Sequence, residues 1–87
     1  MTSEKILEVI DKYDDVLRRM VDSPRYSLVE YVRVSHCITM LSEMRQLLSK
    51  GRVEKACRWL GFIQGVLWSL ERYSIDALRE HNRASHK

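Results

Sequence analysis

Residues 53–73 read Val53-Glu54-Lys55-Ala56-Cys57-Arg58-Trp59-Leu60-Gly61-Phe62-Ile63-Gln64-Gly65-Val66-Leu67-Trp68-Ser69-Leu70-Glu71-Arg72-Tyr73. At about 100° per residue, Val53, Ala56, Trp59, Leu60, Ile63, Val66, Leu67 and Leu70 share one broad face. This spacing predicts a helix over 53–73 with that face in a core. A second face carries a small residue at every fourth position: Cys57, Gly61, Gly65 and Ser69. Such a row lets another helix come close, because no side chains hold the two backbones apart. Glycine inside a helix costs about 1 kcal/mol relative to alanine, and close packing is the natural compensation. A helix apolar on one side and small on the other is expected to meet partners on both.

The flanking sequence predicts three more helices. Residues 3–21 place Ile6, Ile10, Tyr13, Leu17 and Met20 at alternating intervals of four and three, with Val9 and Val16 beside them. Thr2 or Ser3 can cap this helix. Asp22-Ser23-Pro24 ends it. Ser27-Leu28-Val29-Glu30 has the capping-box form and opens a second helix over 27–50. Its expected buried positions are Leu28, Tyr31, Val34, Ile38, Leu41, Met44 and Leu48. Lys50-Gly51 is a stop, a cation followed by a glycine suited to a left-handed cap. The short link to Val53 makes the second and third helices a hairpin. Ser74 can cap a fourth helix over 75–81, with Ile75 and Leu78 folding back on the core. Residues 82–87 are expected to fray. The predicted fold is all-α: a small bundle of three main helices and a short fourth, in a single domain over 1–87.

Composition narrows the function. A chain of 87 residues is marginal as an isolated core, and oligomerisation is one remedy. The net charge of +3 permits nucleic-acid binding without predicting it. Charged residues through positions 1–20 break up any signal-peptide core. No apolar stretch approaches the ~20 residues needed to span a bilayer. Gly61 and Gly65 have the spacing of a membrane dimer motif, but Arg58, Gln64 and Glu71 on the same segment favour a soluble helix. Cys37 and Cys57 lack zinc spacing and are read as buried, reduced thiols in a cytoplasmic protein.

No catalytic set stands out. His36 and Cys37 are neighbours on a helix and point apart. His81 and His86 lie in the tail, and Asp11, Asp14 and Asp15 sit on a polar face. No phosphate-binding glycine loop, nucleophile elbow or metal set is present in the sequence. The expectation is a non-enzyme without a cofactor. Arg45, Lys50, Arg52, Lys55 and Arg58 surround the turn before the third helix, whose N-terminus favours anions. They form a candidate anion or nucleic-acid patch. The plainer reading is that they cap the second helix and keep the turn soluble, with Glu54 among them. Trp59 is read as core. Trp68 lies near the small-residue row with Arg72, and two readings stay open for it: an interface anchor, or a residue covered by the first or fourth helix. The candidate interface is Cys57, Gly61, Gly65, Trp68, Ser69 and Arg72.

The segment from Glu54 to Trp68, followed by Ser74-Ile75-Asp76-Ala77-Leu78-Arg79 and Asn82, resembles an uncharacterised family of small helical proteins of tailed bacteriophages and prophages. The likeness is strong over the C-terminal third and extends to the first fifty residues only in layout. It implies a setting, the bacterial cytoplasm, and carries over no functional residue. The expected function is that of an accessory protein, a homodimer that binds a host or phage protein stoichiometrically. The rival is a nucleic-acid-binding accessory protein that uses the basic turn.

Overall fold

The computed structural model describes residues 1–83. It is all-α, with α1 at Ser3–Val21, α2 at Leu28–Ser49, α3 at Val53–Ser69 and α4 at Ile75–Asn82. Three long helices form the bundle and α4 closes one side. The most extensive packing is between α1 and α2, then between α2 and α3; α1 also meets α3 and α4.

Local chemistry sets each helix start. Thr2 Oγ1 accepts from the Lys5 amide and begins α1. Ser27 and Glu30 form the full capping box at α2: Ser27 Oγ accepts from the Glu30 N–H, and Glu30 Oε1 accepts from the Ser27 N–H. These bonds hold the Glu30 carboxyl below its usual pKa. Ser74 Oγ accepts from the Ala77 amide at the start of α4.

Both long hairpin helices end in a Schellman motif. At α2 the Arg52 amide donates to Leu47 and the Gly51 amide to Leu48, with Gly51 at φ +76°. At α3 the Arg72 amide donates to Leu67 and the Glu71 amide to Trp68, with Glu71 at φ +59°. The helix expected to continue to Tyr73 therefore stops at Ser69. A glutamate takes the left-handed position that normally signals itself as glycine, so no stop was visible in the sequence.

The core is drawn from one face of each helix: Ile6, Ile10, Tyr13 and Leu17 of α1, Val34, Cys37, Leu41 and Met44 of α2, and Ala56, Leu60, Ile63 and Leu67 of α3 are buried. Of the expected core positions of α2, Ile38 is half-buried against the core and two lie outside it. Leu28 is 78% exposed and Tyr31 is also on the surface. The chain leaves α3 toward α1, against which α4 packs, so the outer face of the first turns of α2 lacks a cover. Of the two α4 positions, Leu78 is buried and Ile75 is exposed. The fraying expected from residue 82 is corrected at Asn82, the last residue of α4 and a hydrogen-bond partner of Gln64. Positions 84–87, including His86, lie outside the described residues.

Candidate functional site

The small-residue row of α3 points away from the core. Gly61, Gly65 and Ser69 are exposed and Cys57 is half-buried. A Cβ placed on Gly61 or Gly65 would meet nothing within 4 Å. The row therefore does not serve close packing within the chain, and the expected helix neighbour is not one of its own among the described residues. Two large aromatics flank the row, Phe62 toward α2 and Trp68 toward α4, each 54% exposed. Trp68 borders α4 beside Ile75 and Leu78, which leave about half of it exposed. Arg72, just past the end of α3, is exposed and lies 4.5 Å from the Tyr73 ring centroid.

Two depressions border the row. One lies between α2 and α3, with a volume of about 580 Å³, lined by Val32, Arg33, His36, Phe62, Gly65, Val66 and Ser69. The other, of about 280 Å³, lies between α3 and α4, where Trp68, Ile75 and Leu78 meet Gly65. Gly65 belongs to both, so they form one continuous apolar surface across α3. Val32 and the neighbouring Leu28 and Val29 are exposed at its α2 edge. Sequence reasoning placed the glycine row but missed the α2 contribution. The signal was available: Leu28, Val29, Tyr31 and Val32 are too many apolar residues for one buried helix face.

The basic residues of the hairpin turn separate. Arg45 donates to Asp11 of α1 at 2.6 Å and is thereby turned toward α1. Arg52, Lys55 and Arg58 share a shallow depression with Glu54. Lys55 Nζ sits 5.6 Å from the centroid of Trp59, which is half-buried at the core margin. Lys50 is exposed at the α2 cap. No side chain caps the N-terminus of α3.

A polar cluster unites α1, α3 and α4 behind this surface. Gln64 is buried and its amide N–H groups donate to Tyr13 Oη at 3.1 Å and Asn82 Oδ1 at 2.7 Å. Asn82 returns a bond to Gln64 Oε1. Tyr13 Oη lies 2.7 Å from His81 Nδ1, and the His81 ring stands edge-on to Tyr73 with centroids 4.6 Å apart. Burial pushes the Tyr13 phenol up to about 12. Burial, then the charges of Lys12, Lys5 and Arg72, hold His81 below its ordinary pKa. The arrangement suits a neutral His81 whose Nδ1 accepts a hydrogen bond from the Tyr13 hydroxyl. Sequence reasoning read Gln64 only as a polar residue and His81 as tail. The missed signal was angular: Gln64 lies on the same arc as Leu60, Ile63 and Leu67.

Cys37 is buried and Cys57 half-buried, and both are free thiols. Burial pushes the Cys37 thiol up to about 11, which makes it a poor nucleophile at neutral pH. Among the described residues no group of His, Cys, Asp and Glu side chains is arranged to hold a metal ion. No described helix is long and apolar enough to cross a membrane. Comparison with protein-family models, curated proteins and solved structures found no match to this chain.

Proposed function

We propose that the chain is a helical interaction protein that acts by stoichiometric binding to another protein, with the α2–α3–α4 surface as its docking face. One observation carries this reading: Val32, Phe62, Trp68 and Ile75 are exposed around an open glycine row, in one continuous apolar surface. Contiguous exposed apolar surface of this kind is uncommon on soluble monomers unless something binds it. The resemblance to phage proteins supports the bacterial cytoplasm as the setting and a host or phage protein as the partner.

The nucleic-acid reading has its own support in the uncapped N-terminus of α3 beside Arg52, Lys55 and Arg58. Against it, Arg45 is engaged by Asp11, and Glu54 lies within the patch.

Affinity capture from bacterial lysate, with and without nuclease, separates the two. A protein retained by the wild type after nuclease, reconstituted with it at fixed stoichiometry and lost on Val32→Asp with Phe62→Asp, is the expected result. Tight binding to mixed-sequence DNA or RNA would instead establish the rival. In that case Lys50, Arg52 and Lys55→Gln should flatten the dependence of log affinity on log salt by almost one unit per lost phosphate contact.

A further inference from the structure

We infer that Arg19, Arg25 and Arg72 form a site for a single phosphate group, free or as a monoester, at the end of the bundle away from the basic α2–α3 turn. The three come from separate parts of the chain: the last turn of α1, the α1–α2 link and the α3–α4 link. They line one depression of about 200 Å³ together with Val16, Met20, Ser23 and Tyr26, and no carboxylate lines it. Three like charges around one small hollow repel one another, and an anion among them relieves that repulsion. Guanidinium suits the task, because its planar fork presents paired N–H donors to phosphate oxygens.

Local structure brings each arginine there. Arg72 follows the Schellman turn at the end of α3, its amide donating to Leu67, and its guanidinium lies 4.5 Å from the Tyr73 ring centroid. The Arg25 amide donates to Ser23 Oγ at 3.3 Å, and its guanidinium lies 5.8 Å from the Tyr26 centroid. Contact with a ring uses the guanidinium face and leaves its edge N–H groups for another acceptor. Neither Arg25 nor Arg72 has an ion-pair partner among the described residues. Arg19 pairs with Asp15 at 3.2 Å, but on open surface, where such a pair is weak. The Glu30 carboxylate feels the Arg25 charge, yet it is committed to the Ser27 amide. Asp22 and Glu71 are exposed and lie outside the lining.

Guanidinium groups at the ends of α1 and α3 also suit the helix dipoles. Arg25 belongs to neither end, and a dipole does not gather three charges on one hollow. The charges converge on a point instead of following a line, which favours one phosphate over the backbone of a nucleic-acid strand. Val16, Met20 and Tyr26 offer an apolar wall to whatever carries the phosphate.

The test titrates the full chain with inorganic phosphate and with phenyl phosphate at fixed ionic strength, by calorimetry and by the arginine Nε–H resonances. One phosphate should bind per chain, with shifts at Arg25 and Arg72. Tighter phenyl phosphate would mark a monoester as the ligand, and equal affinity free phosphate; both support the site. Arg25→Gln and Arg72→Gln should each weaken binding about tenfold with the melting temperature unchanged. Arg72→Lys, which keeps the charge and loses the fork, should weaken it too. Arg79→Gln, in the depression between α3 and α4, should not. Absence of saturable binding would overturn the inference. So would binding that survives both glutamine variants, binding lost instead with Lys50, Arg52 and Lys55, or displacement of phenyl phosphate by mixed-sequence DNA at these arginines.

Discussion

His81 shows how one side chain ties the end of the chain to the core. With His81 neutral, the Tyr13 hydroxyl donates its hydrogen bond to Nδ1, 2.7 Å away, while Gln64 donates to the same oxygen. Protonation would aim a second donor at Tyr13 Oη and leave the phenol proton without an acceptor. It would also place a charge near Lys5 and Lys12 of α1 and Arg72 of the α3–α4 link, opposed by Glu80. Since the folded chain holds His81 below its ordinary pKa of 6.5, the unfolded chain binds this proton more readily. Its contribution to stability is complete above that value and is lost as pH falls through the lower folded pKa. Thermal melts between pH 7 and pH 5 should therefore show falling stability in the wild type. In His81→Phe, which keeps a ring against Tyr73, the slope should be flatter. Equal slopes in the two proteins would remove His81 from this role. This cluster was not legible in the sequence, because a polar residue on a helix reads as exposed unless its partners are known. Tyr13 in the middle of the buried stripe of α1 was the one hint, since a core tyrosine needs a partner for its hydroxyl.

The helices were legible where adjacent residues set their limits. The Ser27–Glu30 capping box and the Gly51 stop are short-range hydrogen-bond chemistry, complete within a few residues of sequence. The end of α3 is the counterexample. Glu71 adopts a left-handed conformation that costs a residue with a Cβ roughly 1–2 kcal/mol and a glycine very little. It is held there by the two Schellman hydrogen bonds, which release the chain toward α4. Glu71→Gly should therefore raise stability by about 0.5–1 kcal/mol, part of the relief being offset by the greater freedom of glycine in the unfolded chain. Urea denaturation measures this directly. A loss of stability would mean that the Glu71 side chain contributes more than its strained backbone costs. The small-residue row was likewise legible as a pattern. That it lies bare was not, because helical periodicity defines a face and does not say what covers it. The same limit placed Leu28 and Tyr31 in a core that does not reach them.

At the scale of the whole molecule, three long helices enclose a core while α4 turns toward α1, so the outer side of the α2–α3 hairpin lies open. This face is bare in the single chain, and we propose that it is covered when the protein acts. Trp68 reports on it directly, because Trp59→Phe leaves Trp68 as the sole indole. Iodide quenching of that variant, from dilute to concentrated protein and with any captured partner added, is the decisive measurement. Trp68 should be open to iodide at high dilution and become protected as a second copy or a partner covers the face. Protection at high dilution would contradict the account by showing the face covered within one chain. Open access under every condition would contradict it equally, by showing that nothing docks there.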